Sequence, residues 1–166
     1  TGYSGGGKKM IAQYDADGKD ELLCAPRVYG ITQSHKHLKE MKHVCGIDSV
    51  PLFTPIVSDF YSGMLVTVCL AKNDINGTID DIKNTYAELY TTDIVKYVDK
   101  IDEEGFISAA GVAGRDNMLV SVTGNEDRIM LAALYDNLGK GASGAAVECL
   151  NLVTGKPTDY CLDLIK

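Results

Sequence analysis

The sequence has no tryptophan, three phenylalanines, four prolines and three histidines among 166 residues. No apolar run approaches the roughly 20 residues that a membrane-crossing helix needs, which excludes a spanning segment. Positive charge is also scarce. Sixteen lysines and arginines stand against 23 acidic residues, a net charge of −7, so the chain has no basic stripe for nucleic acid. The five cysteines (24, 45, 69, 149, 161) are odd in number and form no C-x-x-C pair. That pattern fits neither a disulfide frame nor a zinc site and suits reduced thiols in a cytoplasmic protein. His35 and His37 stand two apart, and on a helix they would point to opposite sides, so no metal is expected there. What remains is 45% apolar residues without low-complexity tracts, enough for one domain with a real core.

The spacing of apolar residues predicts the elements. Residues 1–9 read as a glycine-rich loop and 21–31 as extended chain. Residues 34–44 read as a helix with Leu38, Met41 and Val44 on one face. Strands are expected at 50–57, 64–71, 94–98, 107–112, 118–123 and 128–135. Thr78-Ile79-Asp80-Asp81 starts a helix, since Thr78 can cap it and the aspartates favour its positive end. A last helix should run from about Lys140 to Val153 and stop before Gly155-Lys156-Pro157. Cys69 and Cys149, inside a strand and a helix, read as core. Runs of strands between helices indicate an α+β fold with a mixed, largely antiparallel sheet and helices on one face, in a single domain covering 1–166.

Two small-residue turns carry lysines: Thr1-Gly2-Tyr3-Ser4-Gly5-Gly6-Gly7-Lys8 and Asp136-Asn137-Leu138-Gly139-Lys140-Gly141-Ala142-Ser143-Gly144. Such turns let backbone N–H groups approach a ligand, and the lysines suggest an anionic one. Gly139-x-Gly141-x-x-Gly144 matches the dinucleotide fingerprint formally, but only 22 residues follow it, too few for the rest of that unit. Gly2-x-x-x-x-Gly7-Lys8 misses a phosphate loop because Lys9 stands where a magnesium-binding hydroxyl belongs. His35, placed in the first turn of a helix, would be neutral and able to relay a proton. No cysteine stands in an activating context.

In order and spacing these motifs resemble the N-acetyl-γ-glutamyl-phosphate reductases. The first turn is similar to their Ser-Gly-Tyr-Ser-Gly-Ala-Gly-Arg, and His35-Lys36-His37-Leu38-Lys39-Glu40 to their His-Arg-His-x-Pro-Glu. Phe53-Thr54-Pro55 with Gly63 resembles Phe-x-Pro-His-Leu…Arg-Gly, and Asn137 to Val147 resembles Asn-Leu-x-Lys-Gly-Ala-x-Gly-x-Ala-Val. Lys39, Ile56 and Ser62 depart from the family's Pro, His and Arg, and the last leaves open how the substrate's anionic end is held. The resemblance implies a domain like the C-terminal domain of glyceraldehyde-3-phosphate dehydrogenase, forming the catalytic and dimerisation portion of an NADPH-dependent reductase of arginine biosynthesis. The NADP-binding Rossmann domain and the nucleophilic cysteine would lie upstream, so this chain alone should be inactive. His35 would be the catalytic acid/base. Tyr3, Ser4, Gly5, Lys8, His37 and Glu40 would line the substrate, an acyl phosphate, and Asn137, Lys140 and Gly141 would face NADP. A homodimer or homotetramer is implied. The alternatives are an aspartyl or aminoadipyl phosphate reductase and a non-catalytic dimerisation module.

Overall fold

The computed structural model describes residues 1–165. The expected terminal loop is largely helical: Tyr3–Gly6 makes one 3-10 turn, and α1 spans Gly7–Tyr14. Gly7, at φ +73°, makes the bend between them, a conformation that costs glycine little. A second 3-10 turn, Glu21–Cys24, is capped by the Asp20 side chain, which accepts from the Leu22 N–H at 2.9 Å. β1 (Arg27–Val28) then pairs antiparallel with β2 (Ile56–Val57), and α2 (His37–Cys45) lies between them in sequence.

The strand expected over 50–57 shrinks to its last two residues because Pro51 and Pro55 supply no N–H. Phe53 finds a partner of another kind. Its N–H donates to Gln33 Oε1 at 3.0 Å, and its carbonyl accepts from Gln33 Nε2 at 2.7 Å, so one amide side chain replaces a strand.

The main sheet has the order β3-β6-β5-β4, formed by β3 (Met64–Ala71), β4 (Val95–Tyr97), β5 (Met118–Gly124) and β6 (Arg128–Tyr135). β3 and β5 both run antiparallel to β6, and β4 runs parallel to β5. The sheet is thus mixed and mostly antiparallel, as expected. The register aligns Leu70 with Ile129 and Val68 with Leu131 and Val122, which places these side chains on one face. Helix α3 (Ile79–Leu89) covers that face: Ile79 packs with Val122 and Ile129, and Ile82, Tyr86 and Tyr97 close around them.

Residues 107–112 do not form the expected strand. β5 and β6 already have neighbours on both edges, and this segment runs through successive turns closed by Gly111 N–H to Ser108 O and Ala113 N–H to Ala110 O. It lies against Gly63 and Leu134. Cys69 and Cys149 are exposed rather than core, as are the other three cysteines. The last helix, α4 (Gly144–Thr154), follows a π-helical turn at Gly139–Ser143 and ends at Gly155, in the left-handed conformation. No helix among the described residues is long and apolar enough to cross a membrane.

The start of α3 follows its sequence signal closely. Thr78 Oγ1 accepts from Asp81 N–H at 3.2 Å, while Asp81 Oδ2 accepts from Thr78 N–H and from its hydroxyl, each at 2.8 Å. These bonds from Thr78 hold the Asp81 carboxyl below its ordinary range. Thr78→Ala should cost about 1 kcal/mol and lower Tm by about 2–4 °C. Thermal denaturation followed by circular dichroism checks this, and Thr78→Ser should restore most of the loss.

Candidate functional site

The first motif is a strap laid on the loop that precedes β3. Gly2 N–H donates to Gly63 O at 2.9 Å, Tyr3 N–H to Phe60 O at 2.9 Å, and Ser4 N–H to Tyr61 O at 3.0 Å. A Cβ on Gly2 would come within 2.5 Å of Tyr61 O, so only glycine permits this approach. Beyond the strap, Tyr3 stacks on Tyr14 with ring centroids 4.6 Å apart, and its hydroxyl donates to Asp15 at 2.7 Å. That bond pushes the Tyr3 phenol up to about 12, so Tyr3 stays a neutral donor whose proton is already engaged.

Asn137 joins the strap to the end of β6. Its Nδ2 donates to Ser4 Oγ at 2.9 Å, and its Oδ1 accepts from Gly63 N–H at 2.8 Å. Ser4 is buried and Gly5 exposed. A Cβ on Gly5 would meet only Asn137 Nδ2 at 3.8 Å and Thr1 Oγ1 at 3.9 Å, so glycine here keeps the space beside the Asn137 amide free.

Asp136, next along, is 1% exposed and accepts four hydrogen bonds. Oδ1 takes the N–H groups of Leu138 (2.6 Å) and Gly139 (2.9 Å), and Oδ2 takes the Ser62 hydroxyl and the Gly114 N–H, both at 2.7 Å. Burial by itself pushes this carboxyl up. The four donors outweigh that and hold it below the ordinary carboxylate range.

These contacts correct the anion-binding reading of the turn. Leu138 and Gly139 give their N–H groups to Asp136 Oδ1, Gly141 N–H goes to Asp136 O, and Ser143 N–H to Leu138 O. Lys140 is ion-paired with Glu148, and both side chains are largely buried, so its charge is spent inside the fold. The glycines answer to packing: a Cβ on Gly139 would stand 2.2 Å from Arg115 O, and one on Gly144 would stand 2.6 Å from Asp116 Oδ1.

His35 is not in the first turn of α2 but precedes it, since the helix starts at His37. The His37 N–H donates to His35 Nδ1 at 3.3 Å, which leaves the proton of the neutral ring on Nε2. The two rings are 4.6 Å apart rather than on opposite sides, since His35 lies outside the helix that begins at His37. Phe53 and Tyr29 flank His35 at 5.3 and 5.9 Å. Glu40 lies 3.9 Å from His37 Nε2, and Lys8 is exposed on α1. No hydrogen bond or ion pair among the described residues joins this histidine group to the Asn137 cluster, and none links a cysteine to His35. No group of three or more metal-binding side chains occurs among the described residues.

The structure therefore unites Ser4, Gly5 and Asn137, turns Tyr3 toward Asp15, engages Lys140 with Glu148, and gathers His35, His37 and Glu40 separately. The sequence reading missed the role of Asp136. Its only signal was an acidic residue at the end of an apolar strand and before a glycine turn, a position shared by many turn-forming aspartates.

The family model of the semialdehyde dehydrogenase dimerisation domain matches residues 1–137. A curated N-acetyl-gamma-glutamyl-phosphate reductase of Sinorhizobium medicae is 38% identical over 161 residues, covering 92% of this chain and 52% of its own length. One of Brucella abortus is 37% identical over 164 residues, covering 94% and 53%. The chain spans about half the length of the curated relatives it matches. Among solved structures, aspartate semialdehyde dehydrogenase II of Vibrio cholerae superimposes with a TM-score of 0.66 at 17% identity, over 96% of this chain and 53% of that one. That likeness shows the fold.

Replacing the Asp136 carboxylate by an amide puts an NH2 where an N–H or hydroxyl donor already points. Asp136→Asn should therefore cost about 1–3 kcal/mol. Because the folded-state carboxyl is held low, its contribution is present above about pH 4 and is lost as pH falls through the folded-state value. Urea melts at pH 7 and pH 3 should differ for the natural chain, and should differ less for Asp136→Asn.

Proposed function

The chain belongs to the semialdehyde dehydrogenase dimerisation-domain family, and on that premise we propose that it is the C-terminal catalytic and dimerisation portion of a cytoplasmic NADPH-dependent reductase converting N-acetylglutamyl 5-phosphate to N-acetylglutamate 5-semialdehyde. One observation carries the reading: Asn137 of the last motif bonds directly to Ser4 of the first, 133 positions away, and to Gly63 of the third. Three of the motifs that carry the resemblance thus meet at one amide, in a chain 37–39% identical to proteins named as such reductases.

In the proposed reaction a cysteine thiolate, supplied by the other half of a protein of the relatives' length, attacks the acyl carbon. The carbon–oxygen bond to phosphate breaks, phosphate leaves, and a thioester forms. When bound, NADPH would supply the hydride, and the thioester would pass through a hemithioacetal that releases thiol and semialdehyde. The residues here suit the nicotinamide end of such a cofactor, because Gly5 leaves room beside the Asn137 amide and that amide is held by Ser4 and Gly63. Lys140 acts at one remove, tying the turn to α4 through Glu148.

His35 is the proposed acid/base, taking the thiol proton and returning one to the hemithioacetal oxygen. For Nε2 to accept a proton, the His37 N–H contact at Nδ1 must give way, and at 3.3 Å it is long enough to do so at small cost. Ser62 cannot take the role of the family's arginine, because its hydroxyl is turned inward to Asp136. Lys8, free of ion pairs among the described residues, is the motif cation left for an anionic substrate group.

Two measurements test the reading. The 166-residue chain, given N-acetylglutamyl phosphate and NADPH, should show no turnover, because no cysteine sits beside His35. Activity abolished by replacing one of its five cysteines would overturn the division of labour. In a reductase of the relatives' length carrying this segment, His35→Ala should lower kcat by about 10²–10⁴-fold with a smaller change in KM. His37→Ala should matter less, because its backbone rather than its ring holds His35. Unchanged kcat in His35→Ala would leave the non-catalytic dimerisation module as the better account.

A further inference from the structure

Between the end of α1 and β1 lies a cleft of about 430 Å³ that the proposed reaction does not use. Ala16, Lys19, Asp20, Leu22, Leu23 and Arg27 stand in its walls. Arg27 is the odd member. Its Nε and Nη2 both donate to the Tyr14 hydroxyl, at 3.2 and 2.8 Å. That neutral acceptor leaves the positive charge unanswered. No ion pair of Arg27 occurs among the described residues, in a chain with 23 acidic side chains.

A guanidinium is a planar fork whose edges can each hold a carboxylate through two parallel bonds. Tyr14 takes the edge that includes Nε, and Nη1 makes no hydrogen bond among the described residues. The edge made by Nη1 and Nη2 is therefore left for an acid group.

Neighbouring charges restrict what that edge can take. Lys19 is spent, because its ammonium donates to both oxygens of Asp59 at 2.7 and 2.8 Å. Asp20 caps the 3-10 turn by accepting the Leu22 N–H at Oδ1, and Oδ2 has no partner among the described residues. The cleft thus offers one unpaired cation and one unpaired carboxylate. A phosphate or a dicarboxylate would be drawn to Arg27 and repelled by Asp20, whereas a zwitterion matches both. Beside these charges stand Ala16, Leu23 and Leu22, the last 72% exposed.

We propose that this cleft binds a free α-amino acid with an apolar side chain. Its carboxylate sits on the open edge of Arg27, its ammonium on Asp20, and its side chain against the leucines. The bonds from Arg27 to Tyr14 stay in place. Since Tyr14 stacks on Tyr3, the ligand adds an anchor to the frame that joins β1, α1 and the strap bearing Ser4. This site is independent of the chemistry proposed at His35.

The test is binding of L-leucine to the 166-residue chain, followed by NMR shifts of the Leu22, Leu23 and Arg27 amides and by thermal denaturation. L-Leucine should bind with a Kd of about 1 mM, as one bidentate pair on an open cleft allows. It should raise Tm, because it binds only the folded chain. L-Leucinamide, without the carboxylate, should not bind, and N-acetyl-L-leucine, without the ammonium, should bind more weakly than L-leucine. Asp20→Asn keeps the cap, since asparagine caps a helix as well as aspartate does. It should weaken L-leucine and leave N-acetyl-L-leucine unchanged. Arg27→Lys keeps the charge but loses the fork, and should weaken both ligands by about tenfold. Circular dichroism checks that both variants are folded. Absence of a saturable shift, or L-leucine affinity unchanged in either folded variant, overturns the site. L-Leucinamide binding as tightly as L-leucine overturns the role of Arg27, and equal binding of N-acetyl-L-leucine overturns the amino-acid assignment.

Discussion

Two oxygens of one buried carboxylate hold three loops of this protein in register. Asp136 reaches Ser62 before β3, Gly114 before β5, and Leu138 and Gly139 after β6. Taking a carboxylate out of water is costly, and removing one donor would leave part of that cost uncompensated. Here every bond comes from a group that would otherwise need its own partner: three backbone N–H groups and a hydroxyl. The knot thus satisfies the carboxylate and the turns together. Asn137 inherits its position from it, because the preceding residue and the two that follow are all tied to the same carboxylate.

The strap at the start of the chain spans the two parts of the molecule. Toward β1 and β2, Ser58 N–H donates to Thr1 O at 3.0 Å and Tyr29 N–H to Pro55 O at 3.0 Å, so the ribbon beside His35 hangs from the same loop. Toward the main sheet, Ser4 and Gly2 meet Asn137 and Gly63. The aromatic stack of Tyr3 on Tyr14, with Arg27 donating to the Tyr14 hydroxyl at 2.8 Å, holds α1 against β1. His35 and Asn137 are accordingly carried by different parts of one hydrogen-bonded frame.

Electrostatics separate residues that bear on a ligand from those that hold the fold. In an acidic chain a lysine has many carboxylates to choose from: Lys140 of the last motif pairs with Glu148, and Lys19, outside the motifs, with Asp59. Their charges are neutralised within the structure. The same logic explains Ser62: in place of the family's arginine stands a small hydroxyl that fits under Asp136, where a guanidinium would need far more room.

Local interactions were legible in the sequence. The Thr78–Asp81 box, the uncharged strand over 64–71, the long strands at 118–123 and 128–135, and the stop at Gly155 depend on neighbours a few residues away, and each stands where its pattern placed it. The motif order also sufficed to indicate the family. Partners distant in sequence decided the rest. Residues 107–112 have strand-like composition but fold into successive turns packed against Gly63 and Leu134. The glycines at 139 and 144 look like a phosphate cradle until Arg115 and Asp116 are seen against them. His35 looks helical until the helix starts two residues later. Asp136 gives no sign in sequence of four donors, because three of its four bonds are to backbone groups, whose presence a residue letter does not record, and two come from loops 22 and 74 positions away. Composition and periodicity determine which segments can form elements; which groups those elements bring within 3 Å of one another is settled only when the chain closes on itself.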